Sequence, residues 1–162
     1  MNLTTVTISD LKPHPNNPNT HPVKQIDALG ESLDKFEQVK NIVVWNDIII
    51  AGHGIVAAAI KAGREILEAE DISHLSYEIA TEFMLADIRT PGMAIVDEEA
   101  MVEALRTIDE PLDIPGFDED FLKSIRFDEN WRDDVDFKEY DESVEDEVKY
   151  IECPHCGEKF PE

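Results

Sequence analysis

The chain has 162 residues and a formal net charge of −23, a length that suits one domain with an appendage, and no apolar run approaches the about 18 residues that cross a bilayer. The charge is uneven: residues 1–64 hold six acids (Asp10, Asp27, Glu31, Asp34, Glu37, Asp47) against six bases (Lys12, Lys24, Lys35, Lys40, Lys61, Arg64), so the whole excess falls in residues 65–162. So acidic a surface repels phosphate backbones and argues against direct nonspecific DNA binding; it suits a solvated tail, a surface that meets basic proteins, or a mimic of nucleic-acid charge.

In chain order, the opening Met1-Asn2-Leu3-Thr4-Thr5 has no basic head and no apolar stretch, so a cytoplasmic location is expected. Residues 5–8 read as a short strand. Residues 12–22 carry four prolines and three asparagines, which excludes a helix or a central strand and predicts a turn-rich loop. Ile26, Leu29, Leu33 and Phe36 recur at helical intervals and predict a helix over 23–36. Residues 41–45 and 48–51 are β-branched runs around Asn46-Asp47, the pattern of a hairpin. The second run stops at Gly52-His53-Gly54, and an alanine-rich helix follows that ends at Ala62-Gly63. A strand that passes into a helix through two glycines presents free backbone N–H groups at a positive helix end, a natural anion site. Strand–glycine–helix turns also occur with no ligand, and a lone histidine there is commonly a capping or packing residue.

Further along, residues 66–69 suit a strand, and Ser76 is an N-cap for a helix from about Tyr77 to Asp87. Pro91-Gly92 breaks the chain. Residues 97–108 and 118–125 have apolar spacing suited to helices. Residues 128–150 are acidic and poor in aliphatics, the composition of a linker; Trp131, Phe137 and Tyr140 stand out within it, suited either to docking onto a partner or the body or to no more than a simple spacer. The chain closes with Cys153-Pro154-His155-Cys156-Gly157, a knuckle of the zinc-ribbon kind, with Cys153 and Cys156 as ligands of a candidate Zn²⁺. Zinc takes four ligands, so the other two must come from a second chain or from a histidine (His155, His14, His21, His53 or His74). A decayed ribbon and a redox pair are the competing readings.

The order strand, Pro/Asn loop, helix, hairpin, Gly-His-Gly, alanine-rich helix resembles the ParB-like domain of the ParB/sulfiredoxin fold, in the versions encoded by phages and mobile elements beside DNA methyltransferases. The resemblance is carried by Leu11-Lys12-Pro13-His14-Pro15 with Asn17-Pro18, by Ile26, Leu29, Ser32 and Leu33, and by Ala51-Gly52-His53-Gly54 with Ala57-Ala58. Ala86-Asp87 with Arg89, and Gly116-Phe117-Asp118, resemble the downstream part of the methyltransferase-associated group. The resemblance implies an α+β fold, a small mixed sheet with covering helices. It divides the chain into a ParB-like domain (1–90), a helical extension (91–127), an acidic linker (128–150) and a half-ribbon end (151–162).

It also implies a pocket for a nucleoside triphosphate with Mg²⁺, or another phosphate, at Asn17, Asn19, Gly52, His53 and Gly54. Three positions depart from the family's pattern. Asn19 and Ile55 stand where arginines are usual, and Glu37 stands where glycine is usual. Losing two guanidinium groups removes bidentate phosphate clamps, so the pocket is expected to be degenerate. There is no Walker-type Gly-Lys-Ser/Thr sequence and no carboxylate set suited to a two-metal centre. The sequence leaves enzyme and binding protein both open. Two functions follow. One is an accessory protein of DNA modification or processing that works with a protein partner, a DNA methyltransferase or another nucleic-acid enzyme, with homodimerisation open to it. The other is a non-enzymatic acidic protein that occupies the basic groove of such an enzyme.

Overall fold

The computed structural model describes residues 2–108 and 113–127, together with the backbone of 150–152 and 159–161. The chain forms two compact units, Met1–Phe127 and Asp128–Glu162. In the first, five strands make one mixed sheet: β1 (Leu3–Thr7), β2 (Lys12–Pro13), β3 (Ile42–Trp45), β4 (Ile48–Ala51) and β5 (Ile66–Asp71), in the spatial order β1-β5-β3-β4-β2. β1 pairs antiparallel with β5, β5 parallel with β3, β3 antiparallel with β4, and β4 parallel with β2. The Pro/Asn segment therefore contributes a two-residue edge strand, a position where Pro13 interrupts no interior ladder.

The period-two alternation of the strands sorts their side chains onto two faces. Ile42, Val44, Ile49, Leu67 and Ala69 pack with Leu33 of α1 (Val23–Phe36) and with Val56, Ala58 and Ala59 of α2 (His53–Lys61). Val43, Trp45, Ile48 and Ile50 pack on the other side with Ala80, Met84 and Ile88 of α3 (Tyr77–Arg89). The sheet is thus covered on both faces, an α+β arrangement. α4 (Glu98–Arg106) and α5 (Glu119–Ser124) build a separate small core from Leu105, Leu122 and Ile125. Their starts are set by Asp97 and Asp118, whose carboxylates accept from the N–H groups of Ala100 (3.0 Å) and Phe121 (2.9 Å). Ser76 does the same for α3 through Ile79 (3.4 Å).

The β3–β4 hairpin turns on Asn46 (φ 44°) and Asp47 (φ 65°), the two positive-φ residues of the tight turn that matches strand twist. In the second unit, β6 (Tyr150–Glu152) pairs antiparallel with β7 (Lys159–Pro161). Cys153 and Cys156, and the aromatics Trp131, Phe137 and Tyr140, lie outside the described residues. Among the described residues no helix is long and apolar enough to cross a membrane, and no cluster of three or more His, Cys, Asp or Glu is placed to hold a metal ion.

Candidate functional site: the Gly-His-Gly turn

β4 leaves the sheet at Ala51, and α2 begins at His53. Gly52 makes the corner with φ +93°, and a side chain there would meet Ile42 Cγ2 at 2.7 Å. Only glycine fits both the left-handed backbone and the contact with β3. A side chain at Gly54 would crowd Leu29 Cδ1 at 3.0 Å and the His21 ring at 3.1 Å. Each glycine therefore has a packing reason to be there. The consequence is that the backbone runs bare at the start of α2. The N–H groups of His53, Gly54 and Ile55 are first-turn donors with no helical carbonyl to pair with.

In front of this corner lies a cavity of about 150 Å³. Its walls bring together every residue singled out from the sequence as phosphate-binding: Asn17, Asn19, Gly52, His53 and Gly54. His21, Leu29 and Ile55 also line it, and α3 contributes Asp87 and Ile88. Sequence reasoning did not place Asp87 in this site. Its signals were a position near the end of a predicted helix and a place in the Ala86-Asp87 motif, and neither says that this helix brings Asp87 to the turn. A second cavity, about 350 Å³, shares Leu29 and Ile55 with the first and is walled by Ser32, Phe36, Glu37, Gln38, Val39 and Lys40. The first is smaller than the about 300–1,000 Å³ of pockets that enclose whole drug-sized ligands. It suits one phosphate-sized group.

The Pro/Asn loop is pinned to the turn by histidines. The backbone N–H of His14 donates to Nε2 of His53 (3.2 Å), which places the neutral ring's own proton on Nδ1. His14 is 3% exposed. Its Nδ1 accepts from the N–H of Asn16 (3.2 Å) and its Nε2–H donates to the Tyr77 hydroxyl (3.0 Å). The His14 and Tyr77 rings stack at 5.5 Å, and Trp45 closes against Tyr77 at 5.2 Å. Asn17 is turned inward: its Oδ1 accepts from the N–H of Asn19 (3.1 Å). Burial, followed by the nearby His21 and His14, holds the His53 pKa below its usual 6.5, so the ring is neutral at pH 7.

No lysine or arginine lines the 150 Å³ cavity, and Asp87 is the one carboxyl residue in its wall. Lys61 and Arg64, the basic residues that follow the turn in the sequence, are engaged elsewhere. Lys61 pairs with Asp27, and Arg64 reaches the Leu33 carbonyl (2.7 Å) and Asp34 (3.2 Å). Glu37 stands on the wall of the neighbouring cavity, not of this one.

The fold is that of ParB proteins. The chain superposes on the C-terminally truncated chromosome-partitioning protein ParB of Caulobacter crescentus, solved with CTP-gamma-S, with TM-score 0.60 and 17% identity over 68% of this chain. It spans 64% of the length of that chain. Weaker superpositions are found with a Pnob8-like ParB-N domain (TM-score 0.46, 18% identity, 62% of this chain and 41% of that one) and with the Caulobacter protein complexed to the centromeric parS site (0.45, 16%, 75% and 64%). No family model and no curated protein matches the sequence.

Proposed function

We propose that this protein is a ParB-like accessory factor of DNA modification or processing that binds the phosphates of a nucleotide at the Gly-His-Gly turn. The observation that carries the reading is the 150 Å³ cavity walled by Asn17, Asn19, Gly52, His53 and Gly54, in a fold whose Caulobacter relative was solved with CTP-gamma-S. First-turn amides at a helix N-terminus suit a phosphate oxygen, and the adjoining 350 Å³ cavity, with its Phe36 and Val39 walls, is sized for the rest of a nucleotide. The protein partner in this reading is a DNA methyltransferase or another nucleic-acid enzyme in the cytoplasm, and Cys153 and Cys156 supply half of a zinc site completed by a second chain.

A second reading rests on a specific observation. With Asp87 in the wall and no lysine or arginine lining it, the cavity lacks what phosphoryl transfer demands, and the acidic sequence of residues 65–162 then acts by itself on a basic enzyme groove. Thermal unfolding with CTP, ATP and Mg²⁺ separates the two. A ligand at a hundredfold excess over its Kd stabilises the fold by about 2.7 kcal/mol. A rise in Tm with CTP and Mg²⁺ supports the nucleotide reading. An unchanged Tm, together with salt-sensitive capture of a purified DNA methyltransferase, supports the second.

A further inference from the structure

One wall of the cavity is held in place through a single residue, His14. Among the described residues, every hydrogen bond that ties residues 14–20 to another element passes through His14. The remaining bonds of this segment are internal to it, Asn16 to the His14 ring, Asn17 to the His14 carbonyl, and Asn17 with Asn19. The anchor to the turn is the His14 N–H received by Nε2 of His53. An imidazole accepts a hydrogen bond only while that nitrogen is unprotonated.

We infer that His53 is an acid-sensitive latch: neutral, it holds the Asn17–Asn19 wall against the Gly-His-Gly turn; protonated, it drops the His14 N–H and frees the wall on the turn side, leaving it held only by the His14 ring on Tyr77 and Thr81. Protonation at Nε2 sets an N–H against the His14 N–H, two donors facing each other with no acceptor between them. The ionisable groups that face His53 are His14 and His21 from the loop and Asp87 from α3; α1 presents the neutral Gln25, held to the His21 ring at 3.1 Å. The sign follows from linkage. The folded state holds His53 below its usual 6.5, so the latch contributes fully above that value and is lost as pH falls through the lower, folded value.

The effect on ligand binding rests on the nucleotide reading above, and its direction is distinctive. A histidine that contacts phosphate as a cation strengthens binding in acid. A latch that must be neutral weakens it, by a slope approaching about tenfold per pH unit for one linked proton.

The test is an NMR titration of the full chain from pH 7.5 to 5.0, with a parallel series of CTP–Mg²⁺ affinities between pH 7.5 and 5.5. The latch requires His53 to carry its proton on Nδ1 at pH 7.5. It also requires the amides of His14, Asn17 and Asn19 to move with the midpoint of His53, below 6.5. His53→Gln keeps a side-chain acceptor but does not titrate; in it those amide shifts vanish at that midpoint and CTP affinity becomes flat with pH. A His53 ring with its proton on Nε2, or a His14 amide that is unmoved while His53 titrates, overturns the latch. So does CTP affinity that is equal at both ends of the range in the native chain. If the amides titrate together but CTP binds at no pH, the latch stands and the nucleotide reading falls.

Discussion

Two turns border the paired cavities, and they obey their backbones differently. At the β4–α2 corner the positive φ of +93° falls on Gly52. At the end of α1 an equally demanding geometry, φ 58° and ψ −163°, falls on Glu37, in a region that is essentially reserved for glycine. The first turn is built as its geometry asks. The second stores strain. Its neighbour holds it: the Gln38 amide donates to the Glu68 carbonyl (2.7 Å) and accepts from the Glu68 N–H (2.8 Å), fixing the segment to β5. The contrast teaches caution about glycine motifs. Gly52 is explained by its backbone angle and by Ile42, so the presence of Gly-His-Gly speaks for a shape, and the chemistry depends on what surrounds it.

Substitutions can break or sharpen this contrast. The largest effect is expected for Gly52→Ala, which forces a side chain into Ile42 at an unfavourable φ; the loss is about 3 kcal/mol in denaturant unfolding. An unchanged midpoint would show that the corner is not built as described. Glu37→Gly should do the reverse and stabilise the fold by about 1 kcal/mol, the relief of strain offset by glycine's greater chain entropy. No gain there would remove the asymmetry between the turns. The smallest effect is electrostatic. Asp87→Asn removes the carboxylate from the cavity wall and should tighten CTP binding by roughly fivefold, about 1 kcal/mol, measured by calorimetry, while the unfolding midpoint stays within about 0.5 kcal/mol of the native value.

Much of the fold was legible in the sequence because its signals are local. The apolar spacing of Ile26, Leu29, Leu33 and Phe36 gives α1 its observed span, Val23–Phe36. The β-branched runs around Asn46-Asp47 give the hairpin, and the Ser76 cap gives the start of α3. The misses are cases where tertiary contacts decide. β1 begins earlier than the alternation suggests, at Leu3, because it pairs with β5 along five residues. Ile8–Asp10 turns into a short 3-10 helix, and Pro91–Met93 forms another beyond α3. α3 runs on to Arg89, which carries Asp87 and Ile88 to the cavity. α5 is shorter than its apolar spacing, since Asp118 serves as its cap and lies outside it.

For the site, the residues from the two sequence boxes do meet around one cavity. Which of their polar groups are free was not legible. Asn17 spends its carbonyl on Asn19, and His53 spends Nε2 on His14. Those bonds depend on a loop conformation that sequence spacing does not encode. What remains available to a ligand is mostly backbone, the amides at the start of α2, in a cavity that no lysine or arginine lines.

Those amides carry the site. The direct measurement is a two-dimensional amide spectrum of the full chain as CTP with Mg²⁺ is added. The largest shifts should fall on His53, Gly54 and Ile55, with smaller ones on Asn17 and Asn19. A spectrum in which these five stay still while other residues move, Lys40 for example, would contradict it.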